Sequence, residues 1–187
     1  MDNESETVQY EERTFTGALK YDTDSKELYR EHDAEREYFG EPSILIEDAW
    51  DRLLHDEFVP MTIEEAAPFE PELTVLPWEG NFFFELASPD VLHSLHCING
   101  LRKELSQYMY NSSATVSSYS SSDLAHLEHC MDRLRQSIMC HGDLTPSPLY
   151  TWPDSPIALG RSGAHTCRKW EPIREWLDDR KVRGEQV

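Results

Sequence analysis

Apolar residues recur along this chain with changing period, and that pattern predicts its elements. From Asp24 to about Phe39, Leu28 and Tyr29 fall at helical spacing among charged residues, predicting an amphipathic helix stopped by Gly40 and Pro42. Residues 1–23 have no clear period and read as an acidic N-terminal arm, leaving 24–187 as a single domain. Glu47 to about Glu57 (EDAWDRLLHDE) predicts a short helix burying Trp50, Leu53 and Leu54. Residues 59–72 are rich in Pro and Glu and read as an extended connection. The apolar runs Leu73–Leu76 and Phe82–Leu86, split by Pro-Trp-Glu-Gly-Asn, fit a small β-hairpin.

Ser88-Pro89-Asp90 has the form of a helix start, with a capping Ser, Pro at the first helical position and an acid in the first turn. This helix is expected to reach about Tyr110. Asn111–Ser122 reads as a polar loop, and a second helix follows from Ser122 or Asp123 to about Cys140. Pro146, Pro148, Pro153 and Pro156 make 142–163 an irregular stretch. A last helix over roughly Pro172–Lys181 offers Trp170, Ile173, Trp176 and Leu177 to the core. Trp152, Trp170 and Trp176 read as core residues rather than a substrate platform. The fold expected is mainly α: a compact helical domain with two pseudo-repeated metal-binding helices, a small β-hairpin and long irregular connections.

The two central helices are copies of one another. SPDVLHSLHCINGLRKEL (88–105) aligns without gaps on SSDLAHLEHCMDRLRQSI (121–138). Ser88/Ser121, Asp90/Asp123, His93/His126, His96/His129, Cys97/Cys130, Leu101/Leu134 and Arg102/Arg135 are identical, and they include every His and Cys in the window. At about 100° per residue, each His-x-x-His-Cys falls on one side of its helix. Val91, Leu95, Ile98, Leu101 and Leu105 form a separate apolar stripe, repeated by Leu124, Leu127, Met131, Leu134 and Ile138.

Imidazoles at i and i+3 can converge on one metal ion, and nitrogen-rich sites suit copper, zinc, iron or nickel. His93, His96, His126 and His129 are therefore the expected ligands, either in one shared site or as two pairs holding two ions. Cys97 and Cys130 occupy equivalent places, so a pseudo-twofold arrangement brings them near each other. They read as a disulfide or as metal thiolates, with Cys140 and Cys167 as the other pair. His141 and Asp143, just past the second helix, read as proton-handling or substrate-orienting groups, or equally as a helix cap and a turn acid. His165 reads as a further ligand or a base. His32 and His55, in charged surroundings, read as surface residues.

Charge narrows the partners. The chain has 17 basic and 36 acidic residues, a formal charge of -19, with 22 of the acids but only 6 of the bases in residues 1–72. That balance repels phosphate backbones and argues against nucleic acid and anionic membranes as partners. No run approaches the ~20 apolar residues a membrane span needs, and the acidic start is no signal peptide, so the chain itself reads as soluble.

With these motifs in place, the sequence resembles the UstYa-like family of fungal secondary-metabolite biosynthesis proteins. The doubled His-x-x-His-Cys is HSLHC at 93–97 and HLEHC at 126–130. The likeness extends through LRQSIMCHGDLTP (134–146) and HTCRKWEPIREW (165–176), and covers roughly residues 40–180. It implies oxidative tailoring of a small-molecule or peptide substrate by cyclisation, hydroxylation, dehydrogenation or halogenation. It also implies copper, as one or two ions on the motif histidines, with O₂ as co-substrate and halide where needed. A secretory-pathway lumen is expected by the same resemblance, although the family's membrane anchor is not in this sequence. A homodimer, or a hetero-oligomer with a second family member, is the expected assembly. Two rivals stand beside this reading: a redox-neutral cyclase or isomerase using the motif histidines as acid and base, and a non-catalytic metal-stabilised partner subunit.

Overall fold

The computed structural model describes residues 8–69, 75–78, 82–110, 119–152, 155–159 and 163–182. The chain opens in a hairpin, not the helix expected from Asp24: β1 (Leu19–Asp22) pairs antiparallel with β2 (Glu27–Arg30). Asp22 accepts from the Asp24 N–H and the Ser25 hydroxyl, and Lys26 adopts a left-handed φ of 61°. These local bonds favour a turn over a continuous helix. Residues just before β1, within the stretch expected to be an arm, bond to the helix that carries the second motif: the Thr16 N–H donates to Gln136 Oε1 at 2.9 Å.

The first helix, α1 (Ile44–Leu53), is capped by Ser43 and starts earlier than its apolar spacing suggested. Trp50 is completely buried on it, and Leu53 and Leu54 pack against the core as expected. Where an extended connection was expected, the chain forms β3 (Val59–Pro60), α2 (Ile63–Ala66) and a 3-10 turn (Ala67–Phe69). Thr62 and Glu65 close a reciprocal capping box that starts α2.

The β-hairpin is present as β4 (Val75–Trp78) paired with β5 (Phe82–Pro89); Leu73 lies outside the described residues. β5 passes directly into α3 (Asp90–Met109), so Ser88 is a buried strand residue opposite Ser147 and not the expected helix cap. The cap comes instead from distant backbone: the N–H groups of Asp90 and Val91 donate to the carbonyls of Thr145 and Asp143 at 2.9 and 2.8 Å. They satisfy two donors that a helix start leaves open. α4 (Ser121–His141) begins with a Ser120–Asp123 capping box and ends at Gly142, whose φ of 52° is the left-handed conformation that favours glycine.

Beyond α4, two strands replace the expected irregular chain: β6 (Pro146–Trp152) and β7 (Ser155–Leu159). β6 pairs with β5 and with β7, giving the order β3-β5-β6-β7 with β4 also on β5. Pro146 and Pro148 fit because residues two apart face the same way, so both missing N–H groups lie on one side of the strand. The last helix, α5 (Trp170–Val182), leaves Trp170 and Trp176 exposed rather than in the core. The Arg180 guanidinium stacks 4.9 Å from the Trp176 ring centroid, while Ile173 and Leu177 are half-buried. The Trp152 side chain lies outside the described residues.

The core joins Phe39, Ile46, Trp50, Leu95 and Ile98, with Met131, Ile138 and Met139 of α4 against it. The expected stripes are corrected at one repeated position: Leu101 and Leu134 are 61% and 57% exposed. Their neighbours Arg102 and Arg135 are buried instead, and one residue along a helix turns the side chain by about 100°. The fold is mainly helical, as read from the sequence, with more sheet than a single hairpin.

Candidate functional site

The repeat appears in α3 and α4 as matched local chemistry. Arg102 Nε donates to Asn99 Oδ1 at 2.9 Å, and Arg135 Nε donates to Asp132 Oδ1 at 2.8 Å. Arg102 lies 5.8 Å from the Trp50 ring centroid, and Arg135 lies 4.0 Å from that of Tyr38. The duplicated arginines are thus buried framework that holds each motif helix against an aromatic side chain.

The motif histidines lie off this buried framework. His96 and His126 are exposed, and His93 and His129 are half-buried. His96 Nδ1 is 3.2 Å from Glu57 Oε2, and His129 Nδ1 is 2.7 Å from the carbonyl oxygen of Gly17. Both acceptors call for a proton on Nδ1, which leaves Nε2 as the atom with a free lone pair. Among the described residues, no three of these four histidines bring ligand atoms within 4.8 Å of one another. Cys97, Cys130, Cys140 and Cys167 are all exposed free thiols, so neither expected pairing is a disulfide in this structure.

The predicted residues that do come together lie at the far end of α4. Gly142 turns the chain back, and the following segment meets the start of α3 through the two backbone bonds from Asp90 and Val91. Asp143 Oδ1 accepts from the Thr145 N–H at 2.9 Å, and Asp143 Oδ2 is 2.8 Å from His165 Nδ1. Asp90, expected only as a helix-start acid, joins them. Ligand atoms of Asp90, Asp143 and His165 all lie within 4.8 Å of one another. His141 Nδ1 is 2.7 Å from the Ser137 carbonyl oxygen, which leaves its Nε2 free to face a ligand.

These side chains border open space. A groove of about 1210 Å³ is lined by Phe69, His141, Asp143, Thr145, Gly163 and Cys167 among others. A smaller cavity of about 220 Å³ is lined by Asp90, Ser94, His141 and Asp143. Gly163 keeps the groove wall thin, because a Cβ there would meet Thr145 Cγ2 at 3.1 Å. The hydrogen bond from His165, then that from the Thr145 N–H, holds the Asp143 carboxyl below the usual range. The same bond to Asp143 raises His165. His32 and His55 are exposed, as expected, and no helix among the described residues is long and apolar enough to cross a membrane.

Comparison with known proteins agrees with the family resemblance. The family described as "Mycotoxin biosynthesis protein UstYa" matches residues 3–180. The UstYa family oxidase phomYd of Diaporthe leptostromiformis is 33% identical over 76% of this chain and 46% of its own length. The oxidase ustYa of Aspergillus flavus is 31% identical over 67% of this chain and 54% of its own. The hydroxylase cctR of Talaromyces islandicus is 34% identical over 45% of this chain and 30% of its own. The chain spans about half the length of phomYd and ustYa. No solved structure matches it. With the family matched over nearly the whole sequence, both His-x-x-His-Cys motifs included, the chain belongs to the UstYa family of mycotoxin biosynthesis proteins.

Proposed function

We propose that this chain performs copper-dependent oxidative tailoring of a fungal secondary metabolite. One observation carries the reading. His96 and His129, equivalent in the repeat, each engage Nδ1 with a protein oxygen and keep Nε2 for another partner. Metal-ligating histidines are oriented in this way, with the second ring nitrogen donating to a carboxylate or carbonyl. The donor chemistry suits copper. That no three of the four histidines gather among the described residues favours two pairs, His93 with His96 and His126 with His129, over one four-histidine site. Each pair then takes its remaining ligands from solvent, substrate or a second chain. Bound there, copper supplies one-electron redox chemistry with O₂, and with halide where the product is halogenated.

The protein's own part is binding and orientation. The open groove beside α4 is large enough for a small molecule or a short peptide. His141 offers Nε2 to a substrate hydroxyl or phenol, while Asp143 and His165 fix the rim. The names of phomYd, ustYa and cctR support oxidation as the reaction class.

Inactivating the gene in its source organism, and restoring it as wild type or as His93→Ala/His126→Ala, tests this reading by mass spectrometry of extracts. The inactivated strain is expected to accumulate a precursor that differs from the lost product by hydrogens, oxygen or halogen. Wild type restores the product and the double variant does not. A precursor isomeric with the product would replace this reading by the redox-neutral cyclase, and full restoration by the double variant would remove the motif histidines from the chemistry.

A further inference from the structure

The cluster at the start of α3 is a donor set that the oxidative reading uses only to fix the groove rim. We propose that Asp90, Asp143 and His165 bind a divalent first-row cation such as Mn²⁺, Fe²⁺ or Zn²⁺, at a site separate from the motif histidines. The inference does not depend on copper.

Three distant parts of the chain build the cluster: the β5–α3 junction, the turn after α4 and the segment before α5. Their ligand atoms already lie within 4.8 Å of one another. Atoms held about 2.0–2.2 Å from one ion stand roughly 3–3.5 Å apart, so closure takes shifts of about an ångström. The carboxylates are set by backbone: Asp90 through its N–H to the Thr145 carbonyl, and Asp143 through the Thr145 N–H to Oδ1.

Charge is the second argument. Two carboxylates and one imidazole bring their ligand atoms within 4.8 Å of one another, and Asp90 makes no ion pair with Lys or Arg among the described residues. The first two N–H groups of α3 are spent on carbonyls and are not available to neutralise the acids. A divalent ion supplies the missing positive charge, taking the place of the proton that His165 shares with Asp143. The overall charge of -19 also draws cations towards the surface.

Space is the third. The 220 Å³ cavity beside the cluster is lined by Asp90, Ser94, His141 and Asp143, leaving room for water or a ligand oxygen on the ion. Two carboxylate oxygens with one imidazole nitrogen favour manganese, iron or zinc over the thiolate-loving Cu(I).

Mn²⁺ titration of histidine-labelled protein, read by NMR line broadening, tests the site. Mn²⁺ stands lowest among these metals for nitrogen sites, so its binding here is read apart from the distant pair His126 and His129. The ring signals of His165, His141 and His93, which lies one turn from Asp90 on α3, are expected to broaden first, while those of His126 and His129, about 20 Å or more back along α4 from Asp143, stay sharp. Asp90→Asn, which keeps the Asp143–His165 bond, is expected to raise the Mn²⁺ needed by about tenfold or more. His165→Gln, a change in an exposed segment, should release His141 from broadening as well. Sharp His165 signals at Mn²⁺ levels that broaden the other histidines would overturn the site. So would an unchanged response in a folded Asp90→Asn variant.

Discussion

Replacing Arg30 by Ala is expected to destabilise the fold by about 3–5 kcal/mol, read as a lower denaturation midpoint. The Arg30 side chain is 1% exposed and sits among acids. Its Nη2 donates to Glu37 Oε2 at 2.6 Å and to the Phe39 carbonyl at 2.9 Å, and its Nε donates to Glu128 Oε2 at 3.3 Å. Asp132 Oδ2 lies 3.9 Å from Nη1. Truncation therefore leaves Glu128 nearly buried without its counter-charge and Asp132 with Arg135 alone, which costs far more than the pair was worth. The arrangement is tight: a Cβ on Gly17 would stand 3.1 Å from Asp132 Oδ2 and 3.3 Å from Arg30 Nη1. Tyr110 donates to the other Glu128 oxygen, and burial together with that carboxylate holds its phenol well above the usual range. Arg30→Lys is expected to lose most of the same stability, because an ammonium cannot fork between these partners. A midpoint unchanged in Arg30→Ala would contradict the role of this arginine in locking the first hairpin onto α4.

Trp50→Ala is the second large effect, about 3–5 kcal/mol from the transfer and cavity costs of a fully buried indole. The ring meets Tyr38 and Phe39 edge-on at 5.6 and 5.7 Å, and its Nε1 donates to the Tyr38 carbonyl at 2.8 Å. Arg102 of α3 lies over it, so the indole joins α1 to the first motif helix. Domains of this size are stable by only about 5–15 kcal/mol, so the variant is expected to lose a large part of its folded stability and its cooperative melting. Trp50→Phe should recover part of the loss, since it refills much of the cavity but cannot make the Tyr38 bond. Full stability in Trp50→Ala would show that the core is centred elsewhere.

Long elements with a steady period were legible in the sequence. α3, α4, the α1 region around Trp50 and the β4–β5 hairpin lie where their apolar spacing placed them. The misreadings share one cause, which is tertiary context. Ser88 has the chemistry of a helix cap, but β6 holds it in a strand and the Thr145 and Asp143 carbonyls cap α3 instead. Leu28 and Tyr29 have helical spacing, but the Asp22 turn folds that segment into a hairpin. Pro146 and Pro148 look like strand breakers until β5 is known to pair with them.

The site was legible in part for the same reason. His141 and Asp143 were marked by lying just past the second motif helix and His165 as a further ligand or base, and the structure gathers Asp143 and His165 with Asp90. Asp90 was hidden because a helix-start acid is common. Its pairing depends on a contact across more than fifty residues. The buried arginines were hidden too, although the duplication printed them twice: identity at Arg102 and Arg135 was itself the signal.

Copper content after loading and desalting, compared between the wild-type chain and His93→Ala/His126→Ala, tests the central claim most directly. The account predicts near-stoichiometric copper in the wild type and its loss in the double variant, with the thermal transition unchanged. Equal copper in both proteins, or a negligible amount in both, would contradict it.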